Sequence, residues 1–419
     1  MPKAFLPIKI VDLDITRPLP RIDADDPATG RTYGGAFCLV RRAGRPIKVL
    51  EIPLHGKNLT AEDLKALLGQ DIAARELPSL VRTPSLGEAP FISVVVATRD
   101  RTASLARCLE SLLRQDYGRF DIIVVDSAPS SPETAGLIAG RYAATGRVRY
   151  VREDRPGLGQ AHNRGMESVT AEIVAFTDDD VIADPHWLAA IASNVDADHK
   201  VGCVTGLILP AELETRAQFW TEKHAGFGKG FERKVYDLAE HRPPGPLFPF
   251  TAGQFGSGAN MAYLTAALKR IGGFDSALGA GTPARSGDDL AAFFAIIEAG
   301  YQLVYEPEAI VWHHHRRNED GMQRQAFGYG VGLGAYLTKV VVDEPSALFR
   351  LVRGFPAGLA HMWGRSSARM QRLPDDYPAA LVWLERLGVL AGVASYIRSR
   401  AALRRDPKTA QAATFFKPS

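Results

Sequence analysis

The 419-residue chain has only three cysteines, and Cys38, Cys108 and Cys203 are far apart and form no C-x-x-C pair. That argues against a disulfide framework and a zinc knuckle, and it suits a reducing compartment. Charge of one sign is scarce too: the formal net charge is +3, which gives no electrostatic case for nucleic acid as the main partner. The opening "MPKAFLPIKIVDLDIT" breaks its apolar run with Lys and Asp before a signal-peptide core can form, and no stretch reads as an uninterrupted transmembrane helix. A cytoplasmic protein is expected. No G-x-x-x-x-G-K-[ST] loop occurs, and Gly157 and Gly159 of "PGLGQAHNRG" lack the spacing and context of a dinucleotide fingerprint, which disfavours a Rossmann dehydrogenase.

What is present fits a soluble globular protein of two or three domains, with 46% hydrophobic and 23% charged residues. Residues 1–82 read as a small β-rich α+β module. "IKIVDLDI", "GGAFCLVRRAG" and "RPIKVLEIPL" are strand-like, and a helix follows with Thr60 as its N-cap. "RTPSLGEAP", residues 82–90, has linker composition. From residue 90 to about 335 strands alternate with helices. "ISVVVAT", "DIIVVD", "RVRYVRE" and "IVAFTDDD" predict an open, mostly parallel sheet whose ligand lies beyond the strand C-terminal ends. Residues 336–419 read as helical. Their longest apolar run is interrupted by Glu385 and Arg386 and closed by a basic cluster, so it is expected to pack on the preceding domain or to lie at a membrane surface.

Polar residues gather where those strands end: Thr98, Arg99 and Asp100 after the first, Asp126 after the second, and Asp178, Asp179 and Asp180 after the fourth. Side chains alternate along an extended segment, so Asp178 and Asp180 share one side, and two carboxylates there suit a hard divalent cation. Asp184-Pro185 is expected to open the next helix as N-cap and first-turn residue. A second acidic pair, Asp288 and Asp289, begins a helix with Leu290, Phe293, Phe294 and Ile297 on one face, and the helix's positive end is expected to keep both ionised. Further on, "HHHRR" puts His313 and His315 on one face beside Arg316 and Arg317, a pattern suited to a metal or an anion.

Over residues 90–335 these pieces together resemble an inverting family-2 glycosyltransferase of the GT-A fold. The resemblance rests on "ISVVVATRDR", "FDIIVVDSA", "FTDDD" as a D-x-D motif, "GSGANMAY", "GDD" and "AGYQLVYEPEAIVWH", in that order. It implies a Rossmann-like domain that moves a sugar from a nucleotide-diphospho-sugar donor to a glycan, lipid-linked or small-molecule acceptor, with inversion. It also implies Mn²⁺ or Mg²⁺ as cofactor. Thr98, Arg99, Asp100, Asp126, Asp178 and Asp179 would contact the donor nucleotide, and Asp178, Asp180 and His313 would hold the metal. Asp289 would be the general base, with Asp288 beside it. Three departures stand out: "VDSA" lacks a second acid, His162 stands where an Arg is common, and Asp288 replaces the more usual Glu. Two other functions fit such a sheet, a sugar-nucleotide pyrophosphorylase and a non-catalytic nucleotide- or glycan-binding module. The first needs a Gly-rich, Lys- and Arg-bearing loop after the first strand, which is absent.

Overall fold

Strands covered on both faces must be apolar throughout, and that rule explains most of the architecture. The computed structural model describes residues 5–73, 89–195, 200–363, 373–374 and 376–405. Five strands come first: β1 (Ile8–Asp14), β2 (Asp25–Asp26), β3 (Arg31–Thr32), β4 (Gly35–Arg42) and β5 (Arg45–Pro53). β1, β4 and β5 form a three-stranded sheet, and β2 and β3 a short ribbon. Helix α1 (Ala61–Ala73) opens on the expected cap. Thr60 Oγ1 accepts from the Asp63 N–H at 3.2 Å, and the Asp63 carboxylate accepts from the Thr60 N–H at 2.8 Å. The linker expected over residues 82–90 lies, as far as residue 88, outside the described residues.

The central sheet uses β6 (Ile92–Thr98), β7 (Phe120–Ser127), β8 (Val148–Glu153), β9 (Ile173–Asp178), β10 (Val181–Ala183), β11 (Val201–Pro210), β12 (Lys234–Tyr236), β13 (Asn260–Leu264) and β14 (Gln302–His313). Their order is β10-β14-β11-β13-β9-β6-β7-β8, with β12 also on β14. Six of the nine strands, β6, β7, β8, β9, β11 and β14, run the same way, as expected of a mostly parallel sheet. Alternate residues feed opposite faces. Val95, Ile123, Val125, Val174 and Phe176 join one apolar layer, while Val94, Val96, Ile122, Val124 and Ala175 join the other. Helices α2 (Thr102–Leu112), α3 (Glu133–Leu137), α4 (Leu158–Met166), α5 (Trp187–Ala192), α6 (Arg216–Ala225), α7 (Thr265–Arg270) and α8 (Asp288–Glu298) lie between the strands in sequence, and α2 buries Leu105, Cys108, Leu109 and Leu112.

The N-terminal sheet is docked on this one. Phe37 and Leu39 pack against Leu207, Leu209 and Ile310, and Arg41 pairs with Asp184 at 2.6 Å. Asp184 is therefore held by β4, and α5 starts at Trp187 with His186 as cap, two residues later than expected. Asp184 Oδ1 still accepts from the His186 N–H at 3.0 Å.

Three long helices follow among the described residues: α9 (Glu319–Asp343), α10 (Ala347–Trp363) and α11 (Ala379–Arg405). The boundary expected at residue 335 falls inside α9. α9 and α11 meet along glycines: a Cβ on Gly330 would lie 1.9 Å from the Glu385 carbonyl oxygen, and one on Gly388 2.4 Å from that of Phe327. Such close backbone approach tolerates no side chain at the crossing. Glu385, which breaks the apolar run, is buried and pairs with His224 of α6 at 3.1 Å. One expectation needs correcting. By length and composition α11 is long and apolar enough to cross a membrane, with an 18-residue window of mean hydropathy 1.4. Glu385 and Arg386 interrupt the run less than their charges suggest, because the residues after them are apolar for most of the helix. One side of α11 packs on α9, and Trp383, Leu387, Leu390 and Ile397 are exposed.

Candidate active site

A cleft of about 630 Å³ opens at the C-terminal ends of β6 and β9. Thr98, Arg99, Asp178, Asp179, Asp180, Asp288, Asp289 and His313 all line it, so residues spread over more than two hundred positions come together. Asp100 and Asp126 do not line it. Asp100 sits in left-handed backbone (φ 52°) and accepts from the Ser130 N–H at 2.9 Å. Asp126 pairs in register with Thr98 and is buried; one carboxylate oxygen accepts from the Tyr150 hydroxyl at 3.1 Å, and the other has no hydrogen-bond partner.

Along the D-x-D stretch the alternation expected from the sequence is found. Asp179 turns to β6 and accepts from the Thr98 hydroxyl at 2.7 Å. Ligand atoms of Asp178, Asp180 and His313 lie within 4.8 Å of one another on the other side. Arg101, which no sequence pattern singles out, bridges the two sides: its guanidinium pairs with Asp179 and, at 2.7 Å, with Asp180. Arg101 stands at the N-cap of α2, just after the left-handed turn at Asp100.

Burial dominates the electrostatics. It pushes the Asp178 carboxyl up to about 7, with the adjacent Asp180 charge adding to the shift, and it pushes Asp179 up to about 6 against the pull of Arg101. Asp180 feels the same burial, but His313 and Arg101 outweigh it and hold the carboxyl well below the usual range. Burial alone would lower His313; Asp180, 3.2 Å from its Nε2, and Asp178 raise it instead. Asp180 Oδ1 is nonetheless buried without a hydrogen bond. An orphaned carboxylate oxygen, a second carboxylate and an imidazole converging on one point make a donor set that fits a hard divalent cation such as Mn²⁺ or Mg²⁺.

The second acidic pair is set by Gly287, at φ 93°, where a Cβ would stand 2.5 Å from the Gly332 carbonyl oxygen of α9. Only glycine lets α8 begin against that backbone. Asp289 faces the cleft, and its two oxygens accept from the Gly258 and Leu290 N–H groups, each at 2.8 Å. Asp288 is more deeply buried, 3.6 Å from His162 Nδ1. The expectation that the helix end keeps both ionised fails for Asp288. Burial pushes Asp288 up to about 8, helped by the Asp289 charge, and Asp289 is raised as well. Desolvation exceeds the few tenths to about 1 kcal/mol that a helix terminus supplies.

Residues 93–272 match the family model described as "Glycosyl transferase family 2". That span is a family-2 glycosyltransferase domain. The cleft is built around it, with α8, the end of β14 and α9 of the following chain closing one side. Among similar proteins, the pre-mycofactocin glycosyltransferase of Mycobacterium tuberculosis is 28% identical over 312 residues, which cover 72% of this chain and 60% of that protein. The glucosyl-dolichyl phosphate glucuronosyltransferase of Haloferax volcanii is 22% identical over 262 residues, covering 57% and 75%. A solved mannosyltransferase of Pyrobaculum calidifontis, in complex with GDP-Man and Mn²⁺, is 20% identical with a TM-score of 0.46, covering 80% of this chain and 86% of that one. The chain thus spans less than two thirds of the length of its Mycobacterium relative.

Proposed function

We propose that this chain is an inverting glycosyltransferase that moves a sugar from a nucleotide-diphospho-sugar to an acceptor hydroxyl, assisted by a divalent metal. The observation that carries the reading is one cleft with two acid sets doing different work: Asp178, Asp180 and His313 grouped as ligands, and Asp289 facing the same space from α8. The names of the two relatives described above, both glycosyl-group transferases, support the reaction class. Thr98, Arg99, Asp178 and Asp179 serve the nucleotide side from the cleft wall, while Asp100 and Asp126, which do not line the cleft, support that wall from behind, and the Asp179 oxygens are held by Thr98 and Arg101.

Asp178, Asp180 and His313 would hold Mn²⁺ or Mg²⁺, which when bound supplies Lewis-acid stabilisation of charge on the leaving diphosphate. Asp289 takes the proton of the attacking hydroxyl from the opposite side of the sugar, giving inversion in one displacement. Its raised pKa makes it a stronger base than a solvated aspartate, and the Gly258 and Leu290 N–H groups fix its direction. A thermal-shift screen of nucleotide sugars with and without Mn²⁺ tests the reading: one donor should stabilise the chain more with metal, and no metal-dependent shift by any donor contradicts it.

Ligation also predicts a pH dependence. Asp178, held up to about 7, and His313, also raised, must both be deprotonated to bind a cation. Lowering the pH from 8 to 6 should therefore weaken Mn²⁺ binding by ~10-fold or more, the loss expected from one proton of pKa near 7. Calorimetry at the two pH values checks this, and equal affinities would refute the ligand assignment.

The site of action we propose is a membrane surface on the cytoplasmic side. Trp383, Leu387, Leu390 and Ile397 form an exposed apolar stripe on α11, Leu348, Phe349 and Val352 are exposed on α10, and Arg404 and Arg405 close α11. The whole chain should sediment with anionic vesicles, and the double change Leu387→Glu with Leu390→Glu should release it. Failure of the unaltered chain to sediment rules this out.

A further inference from the structure

Behind the cation ligands runs a chain of buried hydrogen bonds. His313 Nδ1 lies 3.0 Å from His315 Nδ1, and His315 Nε2 lies 2.9 Å from Glu222 Oε2 on α6. The His315 side chain is fully buried and stacks on Phe227, with ring centroids 5.6 Å apart. Nothing in the metal reading above uses His315 or Glu222.

The order of protons along this chain follows from what each nitrogen faces. A carboxylate only accepts, so His315 Nε2 carries its hydrogen and donates to Glu222. The Nδ1 of a neutral His315 is then a lone pair. It faces His313 Nδ1, and two lone pairs do not sit at hydrogen-bond distance, so His313 Nδ1 is the donor. The lone pair of a neutral His313 is thereby left on Nε2, the nitrogen 3.2 Å from the orphaned Asp180 Oδ1 and within the group that includes Asp178. The reverse order would set a bare His315 Nε2 against the Glu222 carboxylate. The forward order points an imidazole lone pair at two carboxylates, an arrangement that a cation between them satisfies.

We infer that Glu222 and His315 are positioning residues that fix His313 in the cation-binding tautomer and lock the direction of its ring. The inference rests on the metal site proposed above. Histidine ligands commonly donate their second N–H to a carboxylate or carbonyl. Here the carboxylate acts through an intervening imidazole, which lets a residue on α6 orient a ligand at the end of β14.

The test is binding of Mn²⁺ alone to the full chain, followed by the free-ion EPR signal. Glu222→Leu removes the acceptor, and His315→Phe removes the relay while keeping an aromatic ring on Phe227. Each should weaken Mn²⁺ binding by ~10- to 100-fold, the usual loss for a partner behind a metal ligand. Glu222→Gln, whose amide oxygen still accepts from His315, should bind within a few-fold of the unaltered chain. Thermal unfolding without metal identifies which variants are folded, and either of the first two, if folded, decides. Unaltered Mn²⁺ affinity in a folded Glu222→Leu or His315→Phe overturns the inference while leaving the metal site standing. If the unaltered chain itself binds no Mn²⁺, the metal reading fails first. If Glu222→Gln binds as weakly as Glu222→Leu, the charge of Glu222 rather than its hydrogen bond matters, and the tautomer argument is wrong.

Discussion

Replacing Asp289 with Asn should reduce turnover with the cognate acceptor by ~10²- to 10⁴-fold, the range for a lost general base. Asn keeps the shape of the side chain and removes its basicity. The structure adds a cost that the sequence does not suggest. Both Asp289 oxygens accept backbone N–H groups, so an Asn must turn its NH₂ toward one of those donors. An unmade buried hydrogen bond costs about 1–3 kcal/mol, and the variant should unfold at a lower temperature while still folding. Turnover and thermal unfolding measured together separate the two effects. Asp288→Asn should cost much less activity. Asp288 is buried and, with its pKa pushed up to about 8, carries its proton at neutral pH, so an amide is a near replacement. Unaltered turnover in Asp289→Asn with a collapse in Asp288→Asn would reverse the assignment, and unaltered turnover in both would return the pair to a purely structural part in starting α8.

Asp180→Asn should remove the metal-dependent part of nucleoside diphosphate binding. A partner behind a ligand is worth ~10- to 100-fold in metal affinity, and a charged ligand itself should be worth at least the upper end, so a loss of ~10²-fold or more in Mn²⁺ is expected. Binding without metal should change little, because the Asp179 contacts to Thr98 and Arg101 remain. Calorimetry with and without Mn²⁺ measures both. Equal losses with and without metal would show that Asp180 shapes the cleft through Arg101 rather than ligating a cation.

The central sheet was legible because its strands are covered on both faces: "ISVVVAT" and "DIIVVD" are buried nearly end to end, and a short, continuous, β-branched apolar run leaves no face for solvent. The D-x-D stretch was legible because strand alternation is a local rule, and it correctly separated Asp179 from Asp178 and Asp180. Contacts made by tertiary packing left no local trace. Glu222 of α6 reaches His315, two residues past the end of β14, across 93 positions, and nothing around Glu222 in the sequence marks it. Gly330 and Gly334 stand on one face of α9, but nothing local names the helix they admit, α11, more than fifty positions away at Glu385. The charge state of Asp288 departs from expectation for a related reason. A helix end can be read from sequence, whereas the depth of burial that outweighs it cannot.

The most direct test of the account is release of nucleoside diphosphate from the nucleotide sugar that stabilises the chain, followed with Mn²⁺ and again after chelation, without acceptor and with added pyrophosphate. A glycosyltransferase built on Asp178, Asp180 and His313 should release nucleoside diphosphate slowly in Mn²⁺, stop on chelation, and form no nucleoside triphosphate. Release that is indifferent to chelation, or formation of nucleoside triphosphate from pyrophosphate, would contradict it.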